Sequence, residues 1–494
     1  MSNSGSSSST RPEDERRQSA AARSNTLSPM QQVTAGEVPD QANGETDIRS
    51  GPNTDVPTVT GKNPATAGEV PDHANGETDI RSGPNTDVPT VTGNPSAELV
   101  AELPGLPSSK PALLPERTTI GIVGGGQLGQ MMAESARDMG FKTIILDPAA
   151  DCPAAQVADE QIVAQYSNED AIRELADSSD VVTYEFENVD ADVLDRDPVR
   201  VKLPQGTASL RVSQDRLAEK RFVERLGIPL VDYRPVSSRE ELERAAQEVG
   251  YPCVLKTTRG GYDGKGQRVL RSEVDLEDAA ALVQDSQNSE SSEHIACVLE
   301  AWAAFTKEIS VLVVGDGTGK TVVFPVSENE HRNNILHLTT APARIPGRTA
   351  ATAQRYASTI AETLKIVGML AVEMFVTAEG AVLVNELAPR PHNSGHWTIE
   401  GCSVSQFAEH IRAVAGMPLV EPELVSSAVM INVLGQHLEG ATTLSETRPT
   451  WVLHDYGKSE ARPNRKVGHI TILGDDPQTT IDEIEQTSVW GRPR

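Results

Sequence analysis

Ala371-Val-Glu-Met-Phe-Val-Thr-Ala-Glu-Gly-Ala-Val-Leu-Val-Asn-Glu-Leu-Ala-Pro-Arg-Pro-His-Asn-Ser-Gly-His-Trp397 is the stretch that decides the fold. Two apolar segments, Leu370 to Val376 and Ala381 to Leu387, flank Thr377-Ala-Glu-Gly380, a pattern that predicts a β-hairpin with a short glycine-containing loop. Glu373 and Glu386 fall in opposite arms among hydrophobic neighbours, and folding about the turn directs them to one point. Carboxylates embedded in apolar strands repel one another and lose hydration, so they need a cation or protons. A hard divalent ion shared with phosphate oxygens satisfies both; a hairpin with both acids turned to solvent is the alternative. Asn385 adds an oxygen donor beside Glu386. Arg390, His392, Asn393, Ser394 and His396 crowd the Pro-rich loop beyond, a density that a surface hairpin does not require.

Upstream, Tyr251 to Lys256 reads as an apolar strand ending in a lysine. Thr257 to Gln267 follows at once, with glycines at Gly260, Gly261, Gly264 and Gly266. The loop lacks the GxxxxGK[ST] order of a P-loop. Strand and loop together predict a lysine on phosphate groups beneath a lid that excludes water. Ser213 to Leu226 predicts one amphipathic helix opening with Gln214-Asp215-Arg216, and Glu240 to Val249 another. Cys297 to Phe305 reads as a strand and a link, followed by a strand from Lys307 to Val314. Glu300 and Glu308 flank that link, where acid and backbone groups can read an adenine amino group and ribose hydroxyls. Glu328 to Asn334 reads as a polar segment, Ala350 to Val367 and Gln406 to Ala415 as helices.

Before this region, strand Thr119–Val123, glycine turn Gly124-Gly-Gly-Gln-Leu-Gly129, helix Gln130–Met139 and strand Lys142–Asp147 predict a βαβ unit. The turn fits GxGxxG, and Asp147 lies where a dinucleotide fold places its ribose-binding acid. Taken alone this is a nucleotide-binding oxidoreductase signal, but it leaves the glutamate hairpin unexplained. Asp180 to Glu187 supplies a third strand ending in Glu185 and Glu187, which face either a ligand or solvent. After Pro418 the chain reads as short strands, Ala428–Leu434, Trp451–Tyr456 and Val467–Leu473. Lys458, Arg462, Arg465 and Lys466 form a basic island there, suited either to a phosphate or to solvent.

Composition bounds the rest. The 494 residues exceed one ordinary domain. Residues 1–116 are rich in Ser, Thr, Pro, Gly, Asn and Asp, and Thr34–Gly61 recurs at Thr66–Gly93 with Gln41 replaced by His73. That segment predicts a disordered low-complexity tail. It holds 16 acidic and 8 basic side chains, so most of the net charge of −27 belongs to the folded part. Such an acidic protein argues against nucleic acid as partner. It fits either an ordinary acidic protein or a high-salt interior, the latter failing if folding and activity are best at low salt. Cys152, Cys253, Cys297 and Cys402 show no metal-ligand spacing and suit reduced thiols. With no apolar run of membrane length and no signal peptide, a soluble cytoplasmic protein is expected.

Lysine strand, glycine flap, acidic link and paired glutamates, in that order, resemble the ATP-grasp fold. Within it, GGGQLG, RGGYDGKGQ, NELAPRPHNSGHW and ARPNRKVGH are similar to the 5-(carboxyamino)imidazole ribonucleotide synthase family over about residues 118–475. The resemblance implies an α/β and α+β protein: disordered tail 1–116 (repeats 34–61 and 66–93), Rossmann-like pre-ATP-grasp domain 117–212, ATP-grasp domain 213–417, and small β-rich domain 418–494. It implies an ATP-dependent, carbon–nitrogen bond-forming ligase that carboxylates 5-aminoimidazole ribonucleotide with bicarbonate through carboxyphosphate. Mg²⁺, or Mn²⁺ in its place, would be the cofactor. Another ATP-grasp ligase with a different acceptor is the near alternative. Arg216, Lys256 and the flap Gly261, Tyr262, Asp263, Gly264, Lys265, Gly266 and Gln267 would hold ATP, with Glu300, Ala301, Trp302, Ala303, Glu308 and His331 around adenosine. Glu373 and Glu386 would hold the metal, with Asn385 beside them. Tyr262, Asp263, Arg390, His392, Asn393, Ser394 and Lys458 would serve the chemistry, and Gln127, Glu185, Lys458 and Arg465 the ribonucleotide. A homodimer, a separate mutase for the next step, and no membrane or nucleic-acid partner complete the expectation.

Overall fold

The computed structural model describes residues 99–100, 102–107, 109–115, 117–260, 266–287 and 297–491; the tandem repeats and the flap residues Gly261 to Lys265 lie outside these. β1 (Thr119–Val123), β2 (Lys142–Asp147), β3 (Glu160–Val163) and β4 (Val181–Tyr184) form a parallel sheet in the order β3-β2-β1-β4. Its central strands are apolar on both faces because helices cover both. Ile120 and Ile122 pack with Met131 and Met132 of helix Gln127–Asp138. Val123, Ile144 and Leu146 pack with Ile172 and Leu175 of helix Glu169–Ser178, whose first turn is capped by the Asn168 side chain.

β5 (Tyr233–Val236), β6 (Cys253–Thr257), β7 (Gln267–Leu270) and β8 (Cys297–Ala301) make an antiparallel sheet, β5-β8-β6-β7. The flap joins β6 to β7. Helices Arg239–Val249 and Leu276–Gln287 share its core, with Leu242, Ala245 and Val283 against Leu255 and Leu299. The predicted helix from Ser213 to Leu226 is two helices, Ala208–Ser213 and Arg216–Arg225. Asp215 breaks them by accepting the Leu217 and Ala218 N–H groups as an N-cap.

The third sheet holds β9 (Phe305–Asp316), β10 (Thr321–Val323), β11 (Ser327–Arg332), β12 (Ile335–Ala341), β13 (Val367–Thr377), β14 (Val382–Ala388), β15 (Ala428–Leu434), β16 (Trp451–Asp455) and β17 (Lys466–Leu473). Its order is β14-β13-β9-β11-β12-β15-β17-β16, with β10 on β9. The polar segment after Val326 is therefore a strand: Asn329 is satisfied inside the sheet by Ser310 and Thr339. Pairing of β12 with β15 carries the same sheet into the C-terminal segment, so those strands extend the central sheet instead of forming their own. That segment also contains helices Leu438–Thr447 and Pro477–Gln486, and Ala441, Ile481 and Ile484 pack with Trp451 and Ile470.

The folded body starts earlier than residue 117. Leu99 is buried in the core that contains Phe222, Val223 and Ile228. The Gly105 carbonyl accepts the Thr207 and Ala208 N–H groups, Lys110 lies 3.5 Å from Asp316, and the Leu114 N–H donates to the Ala415 carbonyl. The described residues between 99 and 115 thus strap the surface of the body, a feature invisible in a segment whose composition resembles the tail.

Candidate active site

β13 and β14 form the expected hairpin, with Glu373 directly opposite Glu386 in an antiparallel pair. Both line a cavity of about 530 Å³ that also receives Arg216, Lys256, Glu308, His331, Asn385, Arg390 and His392. The solvent-facing alternative for the hairpin does not hold. Burial, reinforced by Glu386 and Glu308 against the pull of His331, raises the Glu373 carboxyl to about 7. Arg216 Nη1 lies 3.2 Å from Glu386 Oε2. Asn385 Oδ1 is buried and has no hydrogen-bond partner among the described residues.

The loop beyond the hairpin closes one wall. His392 Nδ1 accepts the Ser394 backbone N–H, which leaves Nε2 facing Glu373 Oε1 at 3.4 Å. Burial, then Arg390, depresses the imidazole to about 3, so it is neutral. Ser394 stands fully buried behind it, its hydroxyl 2.8 Å from Nδ1. Asn393 is buried at the cavity wall, and neither polar atom of its side chain has a partner among the described residues. Arg390 bonds Glu187 and donates through Nη1 to the Pro391 carbonyl. Burial opposes ionisation of Glu187, but Arg390 prevails and holds that carboxylate at about 2.

On the nucleotide-facing side expected from the flap, Lys256 Nζ lies 2.7 Å from Glu300 Oε2. The Glu300 side chain is therefore held by Lys256 and, at 3.0 Å, by Lys220, and Ala301 ends β8 before the link through Trp302 and Ala303 to β9, with Trp302 exposed. Glu308 pairs with His331; burial works against charge on that imidazole, yet Glu308 and Glu373 raise its pKa overall. Gln267 also reaches the cavity, and Gly266 precedes it at the described end of the flap. Gly261, Tyr262, Asp263, Gly264 and Lys265 lie outside the described residues.

The glycine turn tells against a dinucleotide. Glu185 takes the Gly126 N–H at 2.6 Å and the Gly129 N–H at 2.5 Å. Asp147 takes the Gly125 N–H at 2.8 Å and the Tyr166 hydroxyl at 2.5 Å. The helix N-terminus that would cradle a pyrophosphate is thus filled by a protein carboxylate. Gly124 adopts φ +108°, and a Cβ there would lie 2.2 Å from Glu185 Cγ. The oxidoreductase reading of GxGxxG is corrected on these contacts. Gln127, from the same turn, reaches the cavity and accepts from Lys458 Nζ at 2.8 Å. Burial, then Arg465, lowers the Lys458 pKa to about 8. Lys466 lines the cavity, whereas Arg465 and Arg462 are exposed. Asn329 and Phe375 also line the cavity. No sequence motif marks either one, since strand register alone places them.

A cavity walled by an acidic hairpin on one sheet and by a lysine strand on another, with a glycine-rich reversal between strands, is the architecture of ATP-grasp proteins. Residues 221–407 match the ATP-grasp domain family, 117–214 the ribonucleotide synthetase preATP-grasp domain, and 428–483 the phosphoribosylaminoimidazole carboxylase C-terminal domain. The chain belongs to the N5-carboxyaminoimidazole ribonucleotide synthase family. It is 46% identical over 371 residues to the synthase of Bacillus subtilis, covering 75% of this chain and 95% of that one. The Staphylococcus aureus enzyme complexed with ADP is 41% identical with a TM-score of 0.70, over 75% of this chain and 97% of that one. The Aspergillus clavatus synthase in complex with ADP and 5-aminoimidazole ribonucleotide is 30% identical with a TM-score of 0.68, over 75% and 97%.

Proposed function

We propose that this protein is an ATP-dependent ligase of purine biosynthesis. It joins bicarbonate to the exocyclic amine of 5-aminoimidazole ribonucleotide, forming the N5-carboxy product, ADP and phosphate. The observation that carries the reading is the Glu373–Glu386 pair facing Lys256 and Arg216 in one cavity. Family membership and the ADP and ribonucleotide bound to relatives support it.

The donor set fits Mg²⁺, with Mn²⁺ able to replace it. Glu373, Glu386 and Asn385 line the same cavity, and the buried Asn385 Oδ1 has no partner among the described residues, where no cluster of three His, Cys, Asp or Glu side chains suited to a metal occurs. Phosphate oxygens and water would complete such a shell, the usual habit of Mg²⁺. When bound, the ion neutralises charge on the transferring phosphoryl group.

In this reading Arg216 and Lys256 take ATP phosphates, and the Glu300–Ala303 link with Glu308 and His331 surrounds adenosine. A bicarbonate oxygen attacks the γ-phosphorus and ADP leaves, giving carboxyphosphate. The exocyclic amine then attacks either the carboxyl carbon of carboxyphosphate, expelling phosphate, or the CO₂ set free when phosphate has left, and the amine loses a proton. Arg390, His392, Asn393 and Ser394 would position bicarbonate and the imidazole, while Gln127, Lys458 and Arg465 hold the ribonucleotide. Tyr262 and Asp263 of the flap would meet bicarbonate or the imidazole, and the closed flap would shield carboxyphosphate from water. Four buried free thiols fit a reducing cytoplasm, and no helix among the described residues is long and apolar enough to cross a membrane. A homodimer and a separate mutase for the product belong to the same reading.

The test is ADP release with bicarbonate, with and without aminoimidazole ribonucleotide. Ribonucleotide-stimulated turnover is expected; stimulation by a different acceptor alone would transfer the chain to a sibling ligase. Glu386→Ala should abolish metal-dependent turnover while leaving the circular dichroism spectrum unchanged, and full activity in that variant would refute the metal assignment.

A further inference from the structure

Lys220 lies on the helix Arg216–Arg225, one turn beyond Arg216, yet it does not line the cavity. Its side chain is 3% exposed and sits 3.0 Å from Glu300 Oε1, while Lys256 Nζ lies 2.7 Å from Oε2 of the same carboxylate. One buried anion thus separates two lysines, of which only Lys256 reaches the cavity.

If Lys256 is to engage a phosphate, it must loosen its hold on Glu300. A buried carboxylate that loses its only partner is strongly destabilised. Lys220 removes that difficulty because it stays with Glu300 whichever group Lys256 is serving. We infer that Lys220 is a positioning residue for the nucleotide: the permanent counter-ion of Glu300 that frees Lys256 to transfer from protein carboxylate to phosphate. This inference rests on the proposed nucleotide site and adds a group that does not itself touch the ligand.

The geometry predicts a sign that simple structural support does not. In Lys220→Met, Lys256 becomes the sole counter-ion of Glu300 and is retained there, so nucleotide binding weakens. Adenosine carries no phosphate and makes no call on Lys256, so its binding should be unchanged in the same variant. Lys220→Gln, which keeps a hydrogen-bond donor towards Glu300 but no charge, covers the case in which Lys220→Met does not fold.

The experiment is calorimetric titration of the full chain with the magnesium complex of a non-hydrolysable ATP analogue. Adenosine is titrated in parallel, and unfolding midpoints are recorded for wild type, Lys220→Met, Lys220→Gln and Lys220→Arg. Lys220→Met is expected to weaken binding of the triphosphate analogue on the order of tenfold, a typical coupling between sites. Lys220→Arg is expected to stay within about threefold of wild type, inside the spread of small perturbations, and adenosine should bind all variants alike. Lys220→Met binding the analogue like wild type would overturn the inference, as would an equal loss of adenosine affinity. Should Lys220→Met not fold, Lys220→Gln decides alone, and wild-type affinity for the analogue in it counts against the proposal. If wild type itself binds no nucleotide, the functional reading fails instead.

Discussion

His410 and Thr183 are joined across the lobes by a hydrogen bond whose direction is fixed. The Met369 N–H donates to His410 Nδ1 at 3.1 Å, so the ring proton sits on Nε2 and donates to Thr183 Oγ1 at 3.0 Å. Thr183 in turn donates to Gln205 Oε1 at 2.6 Å. The chain of bonds runs from Met369 in β13, four residues before Glu373, to Thr183 in β4, which leads into Glu185 and Glu187. Gly368 makes room for it, since a Cβ there would lie 2.8 Å from Nδ1.

Replacing His410 by Leu strands the Met369 N–H and the Thr183 hydroxyl, and should cost about 1–3 kcal/mol in urea unfolding. Burial lowers the His410 pKa from 6.5 to about 3. The unfolded chain therefore takes up its proton first as pH falls. This group's contribution is complete above pH 6.5 and declines through the window down to about 3. The Leu variant should show an acid limb shallower by up to about 1.4 kcal/mol per pH unit. Parallel limbs in the two proteins would show that His410 is not held neutral in the folded state.

Glu373 titrates at about 7 in the folded protein, above its ordinary 4.5, so protons compete with a metal there just below neutrality. The Mg²⁺ concentration needed for half-maximal ADP release should rise as pH drops below about 7, and excess Mg²⁺ should restore the rate. A metal requirement that stays constant from about pH 6 to about pH 8 would argue that the Glu373 carboxylate is not a ligand.

Lys458 loses its charge near pH 8, since burial and Arg465 favour the neutral amine. KM for the ribonucleotide should therefore climb as pH passes about 8, with KM for ATP unaffected. Lys458→Ala should raise the ribonucleotide KM by tenfold or more, about the value of one charge-assisted bond to phosphate. An equal rise in both constants would place Lys458 outside the ribonucleotide subsite.

The strap is tested by Leu99→Asp, which sets a carboxylate among Phe222, Val223 and Ile228. A loss of about 2–4 kcal/mol is expected. Lys110→Ala, which removes a half-exposed ion pair with Asp316, should change stability by less than about 1 kcal/mol. Urea unfolding monitored by tryptophan fluorescence reads both, and an unaltered midpoint for Leu99→Asp would show that the strap is dispensable.

Local chemistry made much of this molecule legible in the sequence. The alternation around Thr377–Gly380 forces a hairpin, and that reversal brings Glu373 opposite Glu386. The apolar run ending at Lys256 and the glycines after it define a lysine strand and its reversal. What stayed hidden depends on contacts distant in the chain. Asn329 reads only as part of a polar segment until Ser310 and Thr339 satisfy it within the sheet. That two lysines from separate elements meet Glu300 is equally invisible in the residues around it.

By itself the sequence determined the order of strands, turns and charged positions, because backbone propensity and hydrophobic period act over a few residues. Only the tertiary structure decided which polar groups were already satisfied. The occupied glycine turn under Glu185, the sheet running on through β12 and β15, and the orphaned side chain of Asn393 are all of that kind. The physical reason is that the cost of a buried charge or hydrogen-bonding group is set by whatever the rest of the chain brings within about 3 Å of it.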